Sequence, residues 1–347
     1  MSDLYFLNAR LRSLRSSLLP PAAYARLLLQ PDLAAFTAAL RETPYGRALE
    51  ETGGEPGDVA RMEEALRREL SGSLVRLLAM GREDCREAVR RLLGFLELRT
   101  LRAIVRGMCT KRPAAEILAA LVPTGLYDEA ALEALCRQHD VRDVALLLLG
   151  WRDPNGATLL RSLAGYREPG DAWMLETALD RAFFKANAPP READDDLALF
   201  LSLAADRTNL ATALSGVAER IAPDRLRRCF LPGGRVYRAA DFAHLVESAS
   251  VGEAAERAAR SVFAPVLEGL TWRPGGVPQF PVLERALDRV LLQCMRMRMR
   301  VEPLGTAPLV CWLLDKFREV ANLRLIFRGR LAGMTAADLA ILLSAEG

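Results

Sequence analysis

The chain has 347 residues, 51% of them apolar and 26% charged, a globular composition that excludes both a disordered chain and a fibre. Its 47 basic and 44 acidic side chains leave a net charge of +3, too balanced for a protein that binds polyanions by neutralising phosphates. At about 150 residues per domain, the length suits roughly two domains.

From the N-terminus, Asp3, Arg10, Arg12 and Arg15 fall where a signal peptide would keep its apolar stretch, so no secretion signal is expected and the chain is read as cytoplasmic. The longest apolar run, Val144–Trp151, is far short of the ~18 residues a spanning helix needs. Ala, Leu, Arg and Glu dominate, and Ile occurs only five times, so helix formers prevail and the β-branched enrichment of sheets is missing. From Val59, apolar residues at 62, 66, 70, 74, 77 and 78 make one helical face. After Gly81 the pattern resumes at 85, 89, 92, 96, 101, 104 and 105, which predicts two helices end to end with a break near Gly81. Turns are expected at Glu51–Asp58, Arg152–Gly156, Ala186–Asp196, Leu231–Gly234 and Thr271–Pro281. The expected fold class is all-α.

One helical phrase occurs three times, as Glu97–Gly107, Asp206–Gly216 and Glu319–Gly329. Each copy has an acid first, then Thr or Asn three residues later (Thr100, Asn209, Asn322), Leu four later, an apolar residue eight later and Gly ten later. The i,i+4 pairs Leu101/Val105, Leu210/Leu214 and Leu323/Phe327 predict a buried stripe. The Thr or Asn, if buried, must be hydrogen-bonded and would tie each helix to a neighbour. The closing Gly suits either a left-handed cap or a close approach between helices. Two copies are followed by a Pro-to-Tyr phrase, Pro123–Tyr127 and Pro232–Tyr237, with Asp140-Val141 and Ser250-Val251 thirteen residues beyond each Tyr. A shortened version, Asn8, Pro20–Tyr24 and Asp32-Leu33, opens the chain without the long helix that precedes the phrase elsewhere. The segment from Leu309 to Arg330 offers that helix. The expectation is three helical units, 1–95 completed by 309–347, 96–205 and 206–308, closed into a pseudo-threefold arrangement when the C-terminal helix docks on the first.

Chemical candidates are few. Asp194-Asp195-Asp196 lacks the DDxxD spacing of a Mg²⁺–diphosphate site and reads as an acidic helix start. His139 and His244 are expected to be core or surface residues, with no metal or catalytic role. No GxGxxG or P-loop occurs, so no nucleotide is expected to bind directly; no cofactor is expected, and the charge balance argues against nucleic acid. The six cysteines show neither zinc nor CxxC spacing and are read as buried thiols. The alternation Cys294-MRMRMR-Val301 continues a helical pattern and reads as a helix end with arginines near the C-terminal dipole.

The phrases Tyr5-FLNARLRSLRSSLL, Leu40-RETPYGRAL, Glu97-LRTLRAIVRG and Glu319-VANLRLIFRG resemble the C subunit of the V/A-type rotary ATPases, called the d subunit in the eukaryotic enzyme. They span residues 5–330; the middle copy departs most, with Ala211 and Ser215 where the others carry Arg. The resemblance implies a non-catalytic, funnel-shaped helical subunit of the central stalk. Such a protein would link the rotating shaft, made of the D and F subunits, to the membrane proteolipid ring, pass torque for proton or sodium transport, and lie peripheral to the membrane. On that reading Arg102, Arg106, Arg324 and Arg328 either meet acids of the shaft or pair with acids of an adjacent unit. Arg296, Arg298 and Arg300 would form a basic rim toward ring, shaft or lipid. The alternative is a stand-alone helical repeat scaffold that binds other proteins.

Overall fold

A computed structural model describes residues 2–55, 57–81, 83–165, 172–188, 195–259, 261–269 and 280–345. Among these the regular structure is helical and contains no strand, as the composition requires. In chain order come α1 (Ser2–Ser16), α2 (Pro21–Leu28), α3 (Leu33–Arg41), α4 (Gly46–Thr52), α5 (Val59–Met80) and α6 (Glu83–Cys109). Next are α7 (Ala114–Ala119), α8 (Glu129–Cys136), α9 (Val141–Gly150), α10 (Pro154–Leu163), α11 (Ala172–Ala186) and α12 (Asp196–Ala218). The remainder are α13 (Pro223–Arg227), α14 (Ala239–Val246), α15 (Val251–Ala258), α16 (Ala264–Gly269), α17 (Phe280–Val301), α18 (Ala307–Leu331) and α19 (Ala336–Ala345). The break after α5 falls at Gly81, whose ψ of 104° leaves the helical region.

The chain forms two compact units. The first comprises Met1–Leu93, Val122–Asp128 and Pro303–Gly347; the second comprises Gly94–Leu121 and Glu129–Glu302.

In the first unit α18 packs on α1, α3 and α5. Its first two turns, residues 307–314, are apolar, and Leu309, Val310, Cys311, Trp312 and Leu313 are almost fully buried, the larger of these side chains contributing about 2 kcal/mol each. Phe327 meets Phe36 of α3 with ring centroids 6.1 Å apart. The buried Asn8 side chain of α1 donates to the Leu304 and Gly305 carbonyls at 2.9 and 3.1 Å, fixing the entry to α18. Within this unit α18, from the C-terminal part of the chain, therefore lies against helices of the N-terminal part.

In the second unit α12 is buried on nearly every face, which explains why its sequence shows no polar side. Phe95 on α6 packs edge-on against Phe200 of α12 at 5.6 Å and against Phe184 of α11 at 6.4 Å.

The three template helices end alike. The amides of Arg112, Ile221 and Met334 donate to the carbonyls of Gly107, Gly216 and Gly329, each at 2.9 Å. Inside these loops, Lys111 donates to Met108, Arg220 to Val217 and Gly333 to Arg330. This is the paired bonding of a Schellman cap, with Lys111, Arg220 and Gly333 at φ of 54°, 55° and 75°. The closing glycines are thus the close-approach points, and the left-handed cap lies four residues further on. A Cβ on Gly107, Gly216 or Gly329 would stand 2.6, 2.3 or 2.4 Å from Ile117, Leu226 or Leu339, each ten residues later on the next short helix.

The second landmark is a helix start. Asp32, Asp140 and Ser250 each accept the backbone N–H three residues on, at 2.8, 2.9 and 3.2 Å. The expected turn Arg152–Gly156 needs correction: Asp153 caps α10, and Pro154 to Gly156 already belong to the helix. Gly156 is required there because a Cβ would lie 2.6 Å from the Ala145 carbonyl oxygen. Residues 271–279 and 189–194, parts of two other expected turns, lie outside the described residues. The expectation of six buried thiols is also corrected: Cys85, Cys109, Cys136 and Cys311 are buried, whereas Cys229 and Cys294 are half-buried.

Candidate partner interface

The acid that opens each template copy is buried, with Glu97, Asp206 and Glu319 at most 6% exposed. Asp206 accepts three backbone N–H groups, from Arg235 at 2.7 Å, Val236 at 2.9 Å and Tyr237 at 3.0 Å. The segment can come this close because residue 234 is Gly; a Cβ there would stand 2.1 Å from the Asp206 carboxylate. Burial raises the Asp206 pKa although all three amides pull it down. One turn on, Asn209 donates to the Leu231 carbonyl at 2.9 Å and accepts its N–H at 2.8 Å. The second copy therefore holds the Pro232–Tyr237 phrase through side chain-to-backbone bonds.

Glu319 treats the Pro20–Tyr24 phrase in a similar manner, accepting the Leu19 N–H just before it. Its other oxygen accepts from Tyr45 Oη at 2.7 Å and Lys316 Nζ at 2.8 Å, and Lys316 also reaches Glu69 at 3.4 Å. Lys316 and Glu319 are each only 2% exposed. Burial, reinforced by Glu319, raises the Tyr45 pKa and keeps its hydroxyl a donor. Asn322 hydrogen-bonds the Tyr24 phenol, whose pKa burial also raises. Asn209 and Asn322 thus each bond a neighbouring segment, Asn322 leaving its Oδ1 without a partner among the described residues, and Thr100 is buried.

The arginines flagged in the sequence are paired within their own unit. Arg102 meets Asp180 at 3.1 Å and Glu176 at 3.3 Å, and Arg106 grips Glu176 with two bonds, one of 2.8 Å. Arg324 and Arg328 share Glu63 at 2.7 and 2.6 Å. The middle copy compensates for Ala211 and Ser215 with Arg207, one turn earlier on the same face, which pairs with Asp288 at 2.9 Å and Glu284 at 3.5 Å. Each template helix is thereby clamped to the long helix that precedes another copy: α6 to α11, α12 to α17, and α18 to α5. Arg106 and Arg328 remain 62% and 63% exposed, so a face of each is open beyond its pair.

The Met/Arg alternation is helical. Met295 is fully buried, Met297 and Val301 are exposed, and Arg298 reaches back to the buried Asp196 at 2.5 Å. Arg300 is exposed at the helix end and Arg296 is half-buried. Asp195 caps α12 through the Leu197 N–H at 3.0 Å, so the acidic run is a helix start; Asp194 lies outside the described residues. Both histidines are exposed. Asp143 does stand four residues beyond His139, a spacing that sequence reasoning missed, and His139, Asp140 and Asp143 converge within 4.8 Å on the surface. Asp140 is already engaged there as a cap.

Sequence reasoning also missed the clamp acids Glu63, Glu176, Asp180, Glu284 and Asp288, together with Lys316 and Tyr45. A signal existed for four of them: Glu176/Asp180 and Glu284/Asp288 are i,i+4 acid pairs beside the apolar pairs Leu175/Leu179 and Leu283/Leu287.

These features define a protein whose described regular structure is helical and whose repeated phrases take part in packing and clamping. The sequence profile of the ATP synthase (C/AC39) subunit family matches residues 7–340, and the chain belongs to that family. Among similar proteins, the C subunit of the V-type ATP synthase of Thermus thermophilus is 32% identical over 97% of both chains. The C subunit of the A-type ATP synthase of Halorubrum lacusprofundi is 26% identical over 96% of this chain and 95% of its own. The corresponding V-type protein of Deinococcus radiodurans is 25% identical over 94% and 87%.

Proposed function

We propose that this chain is the C subunit of a V/A-type rotary ATPase, a non-catalytic member of the central stalk equivalent to the eukaryotic d subunit. The observation that carries the reading is the end-to-end match to proteins named as the C subunit of V- and A-type ATP synthases, with 32% identity over 97% of both chains for the Thermus thermophilus protein. In this role it links the rotating shaft, made of the D and F subunits, to the membrane proteolipid ring and passes torque between them for proton or sodium transport. It acts from the cytoplasmic side as a peripheral subunit; no helix among the described residues is long and apolar enough to cross a membrane.

Three similar units, 1–95 with 309–347, 96–205 and 206–308, make the funnel on this reading. Support comes from the repeated Schellman corners, the repeated glycine contacts and the arginine clamps that run from one copy to the next. Close packing and buried hydrogen bonds suit a part that must carry strain without yielding. The exposed faces of Arg106 and Arg328, with Arg296, Arg298 and Arg300 at the end of α17, are the candidate contacts to shaft or ring.

Affinity purification of the tagged chain from its own cells, read by mass spectrometry, tests the proposal. Recovery of a shaft protein, a proteolipid and nucleotide-binding head proteins is the expected result. Recovery of partners unrelated to a membrane ring would replace this reading with that of a stand-alone scaffold. Replacing Arg296, Arg298 and Arg300 with Gln should weaken assembly on the ring; unchanged assembly removes them from the interface.

A further inference from the structure

Two carboxylates one turn apart on α11, Glu176 and Asp180, are 6% and 5% exposed and lie against the same guanidinium, Arg102. Arg102 itself is about a third exposed, and Arg106, bound to Glu176, is mostly in water. Two buried like charges thus face two partly hydrated cations, beside a cleft of about 380 Å³ lined also by Trp173, Thr208, Thr212, Cys229 and Leu231. The charged groups acting on Asp180 are Arg102 and Arg106 from α6, and Glu176 from α11 itself. The α12 side of the cleft offers only the hydroxyls of Thr208 and Thr212. The 229–231 segment offers the Cys229 thiol, which burial keeps protonated by raising its pKa.

We propose that the α6–α11 contact is an acid-tightened joint: the ion pairs to Arg102 and Arg106 hold it when Asp180 is ionised, and it holds more tightly when Asp180 takes up a proton. The physical reason is that a second buried carboxylate beside Glu176 cannot be solvated while α11 lies on α6, and Arg102 is already shared. Protonation removes that repulsion and leaves Glu176 with both arginines. Burial pushes the Asp180 carboxyl up to about 6, Arg102 drawing it down and Glu176 pushing it further up. The sign follows from linkage. A carboxyl whose value is raised by folding binds its proton more readily in the closed state, so the closed state gains as pH falls through about 6 and stops gaining near the ordinary aspartate value of about 4. The joint responds in this way whether or not the chain sits in a rotary complex.

The experiment is hydrogen exchange of the full chain, corrected for intrinsic rates, followed over residues 172–186 from about pH 4.5 to 7.5. Wild type should exchange at least about tenfold more slowly at the acid end, one pKa unit being tenfold, the slowing setting in near 6 and its midpoint in log rate lying between about 6 and about 4. Asp180→Asn should stay protected across the range. Glu176→Gln keeps Asp180, frees both arginines for it and should move the midpoint down. A flat wild-type profile overturns the proposal, as does a pH dependence that survives in D180N. If D180N does not fold, an E176Q midpoint equal to that of wild type overturns it.

Discussion

Leu226 occupies the space that a side chain on Gly216 would need: its Cδ2 lies 2.3 Å from the Cβ position of that glycine. Gly329 and Leu339 stand in the same relation at 2.4 Å, again ten residues apart. The glycine lets the short following helix fold back against the one that precedes it.

Gly216→Ala and Gly329→Ala should therefore destabilise the protein by about 1–2 kcal/mol, the overpacking penalty of about 1–3 kcal/mol being partly offset by better helix propensity. Gly72→Ala, in mid-helix with no neighbour nearer than 3.8 Å, should instead stabilise by up to about 1 kcal/mol. Gly156→Ala should cost most, because the obstructing Ala145 oxygen and Leu149 nitrogen are backbone and cannot turn away. Urea unfolding of the four variants ranks these effects.

Asp206→Ala strips the partner from three backbone amides at once and should cost about 3 kcal/mol or more. Asp206→Asn keeps one acceptor oxygen and should fall between. Because folding raises the Asp206 pKa, the ionised carboxylate is the less favoured form, so the gap between wild type and D206N should be smaller near pH 7 than near pH 4. Thermal melts across that range would show it.

Lys316→Met leaves Glu319 buried with Tyr45 and the Leu19 amide but no cation, and should cost about 3–5 kcal/mol. The double variant K316M/E319Q removes both charges and should recover part of that loss. A double-mutant cycle with no coupling would mean that the pair does not act as a unit.

Deleting residues 309–347 removes Trp312, Leu313, Leu323, Ile326 and Phe327 from the first unit together with every bond made by Glu319. The N-terminal segment should lose its cooperative melting transition. An unchanged profile would count against a first unit completed by the C-terminal helix.

Much of the fold was legible in the sequence. The helix break at Gly81, the repeated landmarks at Asp32, Asp140 and Ser250, which the structure turns into caps, and the glycine closing each template copy depend on residues within about ten positions, so local spacing records them. The sequence could not say which of two roles the closing glycine plays, since cap and close approach both favour Gly. The Met/Arg alternation at 294–301 looks strand-like by period, yet the helix from Phe280 continues through it. The candidate interface was less legible. Arg102, Arg106, Arg324 and Arg328 stood out, but their pairing with Glu176, Asp180 and Glu63 did not, and Arg207 went unmarked because it sits one turn from the template position.

The amino-acid sequence alone determined an all-helical chain with a thrice-repeated phrase, because helix propensity, apolar period and capping are properties of neighbours along the chain. Only the tertiary structure decided what the charges do. Arg324 and Glu63 are 261 residues apart, and Leu19 and Glu319 are 300 apart. Whether such a cation or carboxylate faces water, a partner or another part of the same protein depends on which distant helices pack together, and nothing in local spacing carries that information.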